Sequence, residues 1–405
     1  MNTLTDRYPV QSDLTLVLNC GSSSIKFAMF DGGQNPLPRT PVWNGKVQGV
    51  GRTSSTFGQT GMTPIPITLD TEQPYHSALT YIRERVTERL AGRQLHAVVH
   101  RVVHGGNKYF SPVRVNANVL ADLKNYIPLA PLHQPFALEA IDILLQIRPD
   151  LPQVACFDTA FHHDMPKIEQ MLPLTHGAWD RGLRRYGFHG LSYDYLSVAL
   201  PERLGEVAHG RVVAAHLGSG ASLCAMKNLQ SIATTMGFSA LDGLMMGTRC
   251  GALDPGAVIY LMQIEKLSLE EVADILYNKS GLLGLSGVSA DPPVLFPLEQ
   301  NDDETGERVR DALALYVRRI VRETGALAAV LGGLDVLAFT AGIGEHSAEI
   351  RKRVCRDLAW MGIELDPDAN EQNKPIISRP GSPITVVVEP TNEEWIAARQ
   401  ALALI

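Results

Sequence analysis

The chain has 405 residues, of which 45% are hydrophobic and 20% charged, and its formal net charge is −7. A chain of this length can bury a sizeable core and form two or three domains, and its composition is that of a globular enzyme. The negative balance excludes the basic field that collects nucleic acid, so an anionic substrate has to be held by local arginine, lysine and backbone groups.

The cysteines and the apolar runs indicate in which cellular compartment the protein is expected. The five cysteines are odd in number and show no Cys-x-x-Cys pair, which predicts reduced thiols and argues against a disulfide framework or a zinc site. Asp6 and Asp13 interrupt the first segment, so no secretion signal is predicted. The longest apolar stretch, 325–339, is too short for a membrane span and carries Asp335. We therefore expect a cytoplasmic protein without a membrane partner.

Apolar, β-branched runs alternate along the chain with segments of helical periodicity. The predicted strands are 15–19, 97–103, 153–157, 212–217, 336–340 and 384–388. The predicted helices are 76–90, 136–147, 193–204, 258–265, 269–277, 308–331 and 347–359. The segments rich in Pro or Gly, which predict loops, are 34–41, 58–66 and 291–297. This order predicts an α/β fold with ligand groups at the carboxyl ends of the strands.

Two segments each combine a buried strand, a tight turn of Gly and Ser, and a second strand: LTLVLNCGSSSIK (14–26) and RVVAAHLGSGASL (211–223). Glycines in such a turn allow backbone N–H groups to surround phosphate oxygens. Either segment alone also fits an ordinary hairpin. Two of them, half a chain apart, favour two related halves that hold one polyphosphate, as in a kinase or an ATPase.

Three polar clusters lie between the hairpins: HRVVHGG (100–106), FDTAFHH (157–163) and RRYGFHG (184–190). Asp158 directly follows a predicted strand, where a carboxylate can position a magnesium-bound water or a reacting group, and the alternative is that it caps a turn or a helix. His104 and His189 are either site residues or hydrogen-bonded structural histidines. His162 and His163 are interpreted as polar residues at a helix start.

The second half adds two glycine-containing segments. In MMGTRCGALDPG (245–256), Arg249 lies in a loop before a helix that Asp254 starts, and the flanking Gly and Met favour burial at a site over a solvated surface charge. AFTAGIGEH (338–346) predicts a strand, a glycine turn and a helix whose N-terminal amides face a nucleotide, although Gly-x-Gly alone is a weak signal.

The C-terminal segment VVVEPTNEEW carries two adjacent glutamates. Thr391 and Glu394 have the spacing of a capping box, so Glu394 is interpreted as a helix cap. This interpretation leaves Glu393 available for another role.

These motifs, in this order, resemble those of the acetate kinase family, which comprises short-chain acyl kinases of the actin-like ATPase superfold. The resemblance covers nearly the whole chain and rests on NCGSSSIK, HRVVHGG, PLHQP, FDTAFH, YGFHG, HLGSGAS, MGTRCGALDPG, FTAGIGE and PTNEE. It implies an α/β protein of two related, ribonuclease H-like domains with a central cleft, 1–158 with 388–405 and 159–387. It also implies a homodimer.

The activity implied by the resemblance is reversible transfer of the γ-phosphoryl group of ATP to acetate, giving acetyl phosphate and ADP, with Mg²⁺ or Mn²⁺. Propionate or another short carboxylate is the alternative acceptor. By position, the catalytic residues are Arg101, Asp158, His189 and Arg249, and the metal is held by Asn19 and Glu393. The acyl group contacts Arg101, Val103, Leu132, Phe188 and Ala240, and His133 lines the site. The nucleotide is bound by Ser22, Ser24, Lys26, His216, Gly218, Ser219, Gly220, Asp291, Gly342, Ile343 and Gly344.

Several positions depart from the family pattern on the nucleotide side, while the reacting centre keeps its residues. Ser219 and His346 each stand where the family commonly has Asn, Ala252 replaces an acidic or hydroxyl residue, and Asp291 precedes two prolines instead of an Asp-x-Arg segment. Ala240 stands where acetate kinases commonly carry Pro.

Two other classes of function remain open on the sequence. A sugar or polyol kinase of the same superfold needs an aspartate base to deprotonate a hydroxyl group, but it does not need two arginines around a carboxylate. An actin-like ATPase that acts as a chaperone or assembly switch predicts a long partner-binding appendage, and the sequence shows none.

Overall fold

The computed structural model describes residues 14–21, 23–90, 92–131 and 133–405. The chain divides into two compact units: unit 1 is Met1–Ala160 with Asn392–Ile405, and unit 2 is Phe161–Thr391. The domain ranges predicted from the sequence differ from these units by a few residues at each boundary. Ser22 and Leu132, which the sequence placed in the nucleotide and acyl sites, lie outside the described residues.

Unit 1 is built on a mixed sheet with helices on its faces. Its strands are β1 (Leu14–Cys20), β2 (Ser24–Asp31), β3 (Trp43–Gln48), β4 (Ser55–Gln59), β5 (Ile65–Ile67), β6 (Leu95–Val102), β7 (Val113–Arg114) and β8 (Gln153–Phe157). Its helices are α1 (Pro74–Leu90), α2 (Ala117–Lys124), α3 (Gln134–Ile147) and, at the C-terminus, α15 (Glu393–Leu402). The strand order is β5-β4-β3-β2-β1-β6-β8-β7.

The central strands of unit 1 are almost continuously apolar because helices cover both of their faces. Leu16 and Leu18 of β1 join Ile141 of α3 in one buried cluster. Helix α15 packs against β1, β6 and β8. Its buried face includes Ala397 and Ala401, whose small side chains permit this close approach. The C-terminal helix therefore belongs to the core of unit 1.

Unit 2 has a smaller sheet and more helices. Its strands are β9 (Arg211–Leu217), β10 (Ala221–Lys227), β11 (Gln230–Thr234), β12 (Val336–Thr340) and β13 (Thr385–Val388). Its helices are α4 (Lys167–Gln170), α5 (His176–Asp180), α6 (Gly190–Leu204), α7 (Pro255–Gln263), α8 (Leu269–Asn278), α9 (Gly281–Ser286), α10 (Pro292–Leu295), α11 (Glu304–Leu331), α12 (Ala341–His346), α13 (Ala348–Asp357) and α14 (Pro367–Glu371). Its strand order is β11-β10-β9-β12-β13.

The two sheets share one topology. In unit 1, β1–β2 and β2–β3 are antiparallel, whereas β1–β6 and β6–β8 are parallel. In unit 2, β9–β10 and β10–β11 are antiparallel, whereas β9–β12 and β12–β13 are parallel. Strands β3-β2-β1-β6-β8 thus correspond to β11-β10-β9-β12-β13. The predicted α/β class with two related halves is confirmed, and each half carries one of the two Gly/Ser hairpins.

Every strand and helix predicted from periodicity is present, with small shifts at the ends, and Asp254 caps α7 as predicted. Two loop predictions are wrong in part. Segment 291–297 forms the short helix α10, since prolines are well tolerated in the first turn of a helix. Segment 58–66 runs into β5. None of the helices in the described part of the chain is long and apolar enough to cross a membrane.

Candidate active site

In unit 1, polar side chains meet at the carboxyl ends of the three parallel strands. Arg101 of β6 donates from Nε and Nη2 to the two carboxylate oxygens of Asp158, which follows β8, at 2.9 and 2.6 Å. Its Nη1 donates to Oδ1 of Asn19, at the end of β1, at 3.2 Å. Parallel neighbours bring these strand ends together, and the two-pronged contact with Asp158 fixes the plane of the guanidinium.

Two glutamates at the start of α15 complete this unit 1 cluster. Glu393 Oε2 lies 3.7 Å from Arg101 Nη1. The predicted capping box is wrong: the N-cap is Asn392, whose side chain accepts from the Trp395 backbone N–H at 3.1 Å. Thr391–Glu394 spacing therefore does not identify the cap, and Glu394 becomes a half-buried member of the cluster. Burial raises the pKa of Glu394, and the charge of Glu393 adds to this rise.

The unit 1 cluster carries more negative than positive charge. Burial opposes the charged form of Arg101, but Asp158 and Glu393 outweigh it and hold the pKa of the guanidinium above its usual range. Burial also raises the pKa of Asp158, and Arg101 acts against that rise. The described residues contain no group of three or more His, Cys, Asp or Glu side chains arranged to hold a metal. Mg²⁺ needs only one or two carboxylates beside phosphate and water, so the side-chain oxygens of Asn19 and Glu393 have the chemistry that this ion requires.

The remaining predicted residues of unit 1 that the structure describes lie on the first hairpin, just after β6 and just before α3. Ser24 closes the β1–β2 turn through its carbonyl, which accepts from Gly21 N–H at 2.8 Å. Lys26 is exposed and pairs in register with Asn19. Val103 is half-buried just after β6, and His133 precedes α3.

His104 organises the turn of the HRVVHGG segment. It is buried, its Nδ1 accepts from Gly106 N–H at 2.8 Å, and its backbone N–H donates to the Gln134 side chain at 3.1 Å. Burial lowers the pKa of His104 to about 3, so its ring is neutral at neutral pH. These contacts favour the structural interpretation of this histidine.

In unit 2, His189 has an unusual backbone and a fixed ring. It precedes α6 with φ at 58°, in the left-handed region that costs a non-glycine residue about 1 kcal/mol or more. Its Nδ1 lies 2.8 Å from Ser222 Oγ, which in turn lies 2.6 Å from the Tyr193 hydroxyl. The ring stacks on His216 with centroids 4.0 Å apart, and Ser192 Oγ lies 2.9 Å from His216 Nδ1.

Arg249 lies beside His189 at the glycine hairpin. A β carbon added at Gly220 would lie 3.3 Å from His189 Nε2 and 3.6 Å from Arg249 Nη1, so the missing side chain leaves room next to both groups. Arg249 Nη1 donates to the Ala240 carbonyl at 3.1 Å. Burial lowers the pKa of Arg249 from its high ordinary value. A guanidinium and an imidazole beside a turn of backbone amides form a cradle suited to a phosphoryl group.

Two turns of unit 2 that carry predicted nucleotide residues lie next to each other. A β carbon at Gly218 would lie 3.7 Å from the Ala341 side chain, so the β9–β10 turn adjoins the β12–α12 turn. Ala341 has a φ of 64°, and a β carbon at Gly342 would meet nothing within 4 Å. Gly344 packs against β9. Of the departures from the family pattern, Ser219 is exposed in the hairpin and His346 is exposed at the end of α12.

Several residues of this site were missed or misread from the sequence. Ser192, Tyr193 and Ser222 hold the two histidines, and the only signal in the sequence was that Ser192 and Tyr193 lie two and three residues after YGFHG. The prediction for His162 is wrong: it is buried, and its Nε2 lies 2.9 Å from the Phe188 carbonyl oxygen. A sequence pattern does not show this contact because it joins residues 26 positions apart.

A cavity of about 690 Å³ in unit 1 does not coincide with either cluster. It lies under α1 and α3, and its lining includes Leu16, Val86 and Ile147 but none of the predicted catalytic residues. Its location and apolar lining separate it from the charged chemistry described above.

The α/β unit is repeated, and the two copies carry different groups. One has an arginine–carboxylate cluster at its strand ends, and the other has a glycine hairpin beside an arginine and a histidine. This combination defines an enzyme of phosphoryl transfer. The Acetokinase family model matches residues 14–399. The chain belongs to this family.

Full-length relatives agree with this assignment. The chain is 46% identical over 398 residues to an acetate kinase of Rhodopseudomonas palustris, covering 97% of this chain and 98% of the relative. The crystal structure of Porphyromonas gingivalis acetate kinase has a TM-score of 0.83 at 36% identity, covering 97% of this chain and 100% of that one. A propionate kinase from Francisella tularensis has a TM-score of 0.88 at 33% identity, covering 96% and 98%.

Proposed function

We propose that the protein transfers the γ-phosphoryl group of ATP reversibly to acetate, forming acetyl phosphate and ADP. The observation that carries the proposal is the cradle of unit 2, in which His189 Nε2 and Arg249 Nη1 adjoin the place of the missing Gly220 side chain. Full-length relatives named acetate kinase support the choice of acceptor. A cytoplasmic location and the absence of nucleic-acid or membrane partners stay predictions from the composition.

The residues suit a carboxylate acceptor. Acetate is already deprotonated at neutral pH, so the reaction needs no general base, and repulsion between two anions is the main obstacle. Asp158 is held by two hydrogen bonds from Arg101 and is therefore placed to orient that guanidinium. In this proposal Arg101 holds the acetate carboxylate, while Arg249 and His189 neutralise charge on the in-line transition state.

Asn19 and Glu393 are proposed to hold Mg²⁺, with Mn²⁺ as a substitute. When bound, the metal neutralises phosphate charge. Arg101 contacts both proposed ligands and so fixes their orientation. The charge of Glu394 also acts on Arg101 and helps to hold the pKa of the guanidinium above its usual range.

Phe188 and Ala240 of unit 2 are proposed to contact the acyl group, and Val103 of unit 1 stays a prediction from the sequence. Phe188 and Ala240 are buried in unit 2, and the Ala240 carbonyl accepts from Arg249. Proline would fill more space than alanine at position 240, so propionate is the second candidate substrate. The likeness to a propionate kinase structure is consistent with this alternative.

A homodimer is proposed on the surface of α7. No residue of this helix is buried in the single chain, although most of it is apolar. Ile259 and Tyr260 of α7 are exposed by 54% and 53%, and the apolar surface continues through Ile264, directly after α7, and Leu269, at the start of α8, which are exposed by 62% and 65%. Apolar patches of this kind mark protein contacts. Light scattering should give a dimer for the wild type and a monomer for Ile259→Asp with Ile264→Asp; a dimer that persists would place the interface elsewhere.

A hydroxylamine trap for acyl phosphate tests the activity. The purified protein is incubated with ATP, Mg²⁺ and either acetate, propionate, butyrate, glucose or glycerol, and both hydroxamate and ADP are measured. We expect hydroxamate with acetate and propionate, and no ADP above background with the two alcohols. Glucose-dependent or glycerol-dependent ADP without hydroxamate would replace this proposal with a sugar or polyol kinase. ADP release that no acceptor stimulates would favour an ATPase switch.

A further inference from the structure

A second histidine, His162, lies behind the catalytic histidine proposed above. It ends a short helical turn after β8, is 1% exposed, and packs edge-on against Phe161 and Tyr193. It is not among the groups nearest to the place of the missing Gly220 side chain, so it is not a candidate for contact with the phosphoryl group. Its two ring nitrogens nevertheless both have partners in unit 2.

The hydrogen bonds of His162 define which nitrogen carries the proton. Nε2 lies 2.9 Å from the Phe188 carbonyl oxygen, which can only accept, so Nε2 must donate. Nδ1 lies 2.8 Å from Ser231 Oγ. Burial lowers the pKa of His162 to about 4, with the charge of Arg185 acting in the same direction, so the ring is neutral at neutral pH. Nδ1 is therefore unprotonated and accepts a hydrogen bond from the Ser231 hydroxyl group.

The carbonyl that His162 holds belongs to the residue directly before His189. The turn is packed tightly on the ring, since a β carbon added at Gly187 would lie 2.5 Å from His162 Cδ2. His189 follows with its left-handed φ of 58°, a conformation that persists only where the surroundings fix it. Two hydrogen bonds fix His189. The bond to the Phe188 carbonyl holds the peptide group before it, and the contact with Ser222 holds its imidazole.

We infer that His162 is a positioning residue, which holds the Phe188 carbonyl through Nε2–H and thereby keeps the His189 imidazole beside Gly220 and Arg249. This inference rests on the proposed function for the reaction it serves. His162 binds the protein backbone, and its contribution to the reaction is the orientation of His189. A displacement of about 1 Å at a reacting group can cost about a hundredfold in rate.

Two variants of similar size separate the donor from the bulk of the ring. In His162→Gln an amide N–H can reach the Phe188 carbonyl, whereas His162→Met fills the space without a donor. We expect His162→Met to lower kcat by about tenfold to a hundredfold with little change in KM for ATP, and His162→Gln to recover most of it. The exposed neighbour provides a control, His163→Gln, which should match the wild type. Equal kcat for the Met and Gln variants would overturn the inference.

A double-variant comparison distinguishes positioning from a purely structural role. In the His189→Ala background, His162→Met should lower kcat by less than about twofold, because the group it orients is already gone. A loss of the same factor in both backgrounds would show that His162 supports the fold and not His189. Circular dichroism should confirm that each protein compared is folded.

The tautomer can be tested without any substitution or substrate. ¹⁵N NMR of imidazole-labelled wild-type protein should show His162 as the Nε2–H tautomer from pH 5.5 to 8. A titration near pH 6.5, or an Nδ1–H tautomer, would overturn the inference even if His162→Met does not fold. The NMR result is independent of catalysis, so a failure of the acyl-phosphate assay would refute the proposed function and leave this test standing.

Discussion

The unit 1 cluster and the unit 2 cradle each contain one arginine, but they hold it differently. Arg101 is paired with Asp158, contacts Asn19 and lies near Glu393. Arg249 instead donates to the neutral carbonyl of Ala240 and lies near a histidine and a glycine turn. The first arrangement leaves surplus negative charge, which suits a cation, whereas the second offers positive charge to an anion. The duplicated fold therefore serves two different electrostatic tasks.

Removal of either arginine should have the largest effect on catalysis. We expect Arg101→Ala and Arg249→Ala each to lower kcat by about a hundredfold or more. Lysine at either position should restore little of the lost kcat, because an ammonium group lacks the planar fork of the guanidinium. Steady-state kinetics of the four variants measures both effects, and near wild-type turnover in either alanine variant would contradict the assignment.

The two alanine variants should also differ in their free energy of unfolding. Arg101→Ala leaves the buried Asp158 carboxylate without its partner, which should cost about 3 kcal/mol of unfolding free energy. Arg249→Ala removes a group bonded to a neutral carbonyl and should cost less. Urea unfolding of both variants measures the difference. Equal losses would mean that the two arginines are not held in the different ways described here.

Glu393→Gln should raise the magnesium concentration at half-maximal rate by about tenfold, because it removes a proposed metal ligand. Glu394→Gln is the matched control, with the same chemical change one residue further along, and should produce a smaller rise. A magnesium titration of kcat measures both. If Glu394→Gln shows the larger defect, the ligand has been assigned to the wrong glutamate.

Acid should destabilise both units through buried neutral histidines. Burial lowers the pKa of His100 to about 4, of His104 to about 3 and of His162 to about 4. Between pH 6.5 and about 4 the unfolded chain binds protons that the folded chain does not, so stability is complete above 6.5 and falls below it. Each histidine contributes up to about 1.4 kcal/mol per pH unit.

His162→Gln separates the contribution of unit 2 from those of His100 and His104 in unit 1. The slope of its unfolding free energy against pH should be smaller than that of the wild type by the contribution of one proton, up to about 1.4 kcal/mol per pH unit. Urea unfolding at pH 7, 6 and 5 provides the comparison. Parallel plots would show that His162 is not a buried neutral group.

The smallest predicted effect concerns the acyl pocket. One buried methylene contributes about 0.8 kcal/mol, which corresponds to about fourfold in rate. Propionate should therefore be a good second substrate of the wild type, butyrate should be weak, and Ala240→Pro should shift preference toward acetate. The ratio of kcat/KM for propionate and acetate in both proteins is the measurement. An unchanged ratio would remove Ala240 from the pocket.

The sequence predicted those parts of the fold and site that depend on local order. Apolar runs located the central strands, and their order predicted ligand groups at the carboxyl ends, where the structure places Asp158 and Arg101. The helix cap at Asn392 was not predictable, since spacing alone also allowed Thr391 with Glu394. Ser222 was missed and His162 was misinterpreted, because their contacts depend on the pairing of distant strands and on the turn at Gly187.

A magnesium titration that compares Glu393→Gln with Arg249→Ala tests the division of tasks most directly. Glu393→Gln should shift the half-saturating magnesium concentration and recover much of its kcat at high magnesium. Arg249→Ala should stay about a hundredfold slow at every magnesium concentration, with an unchanged half-saturation point. Equal shifts in half-saturation for both variants would contradict the assignment of the cation to unit 1 and the phosphoryl group to unit 2.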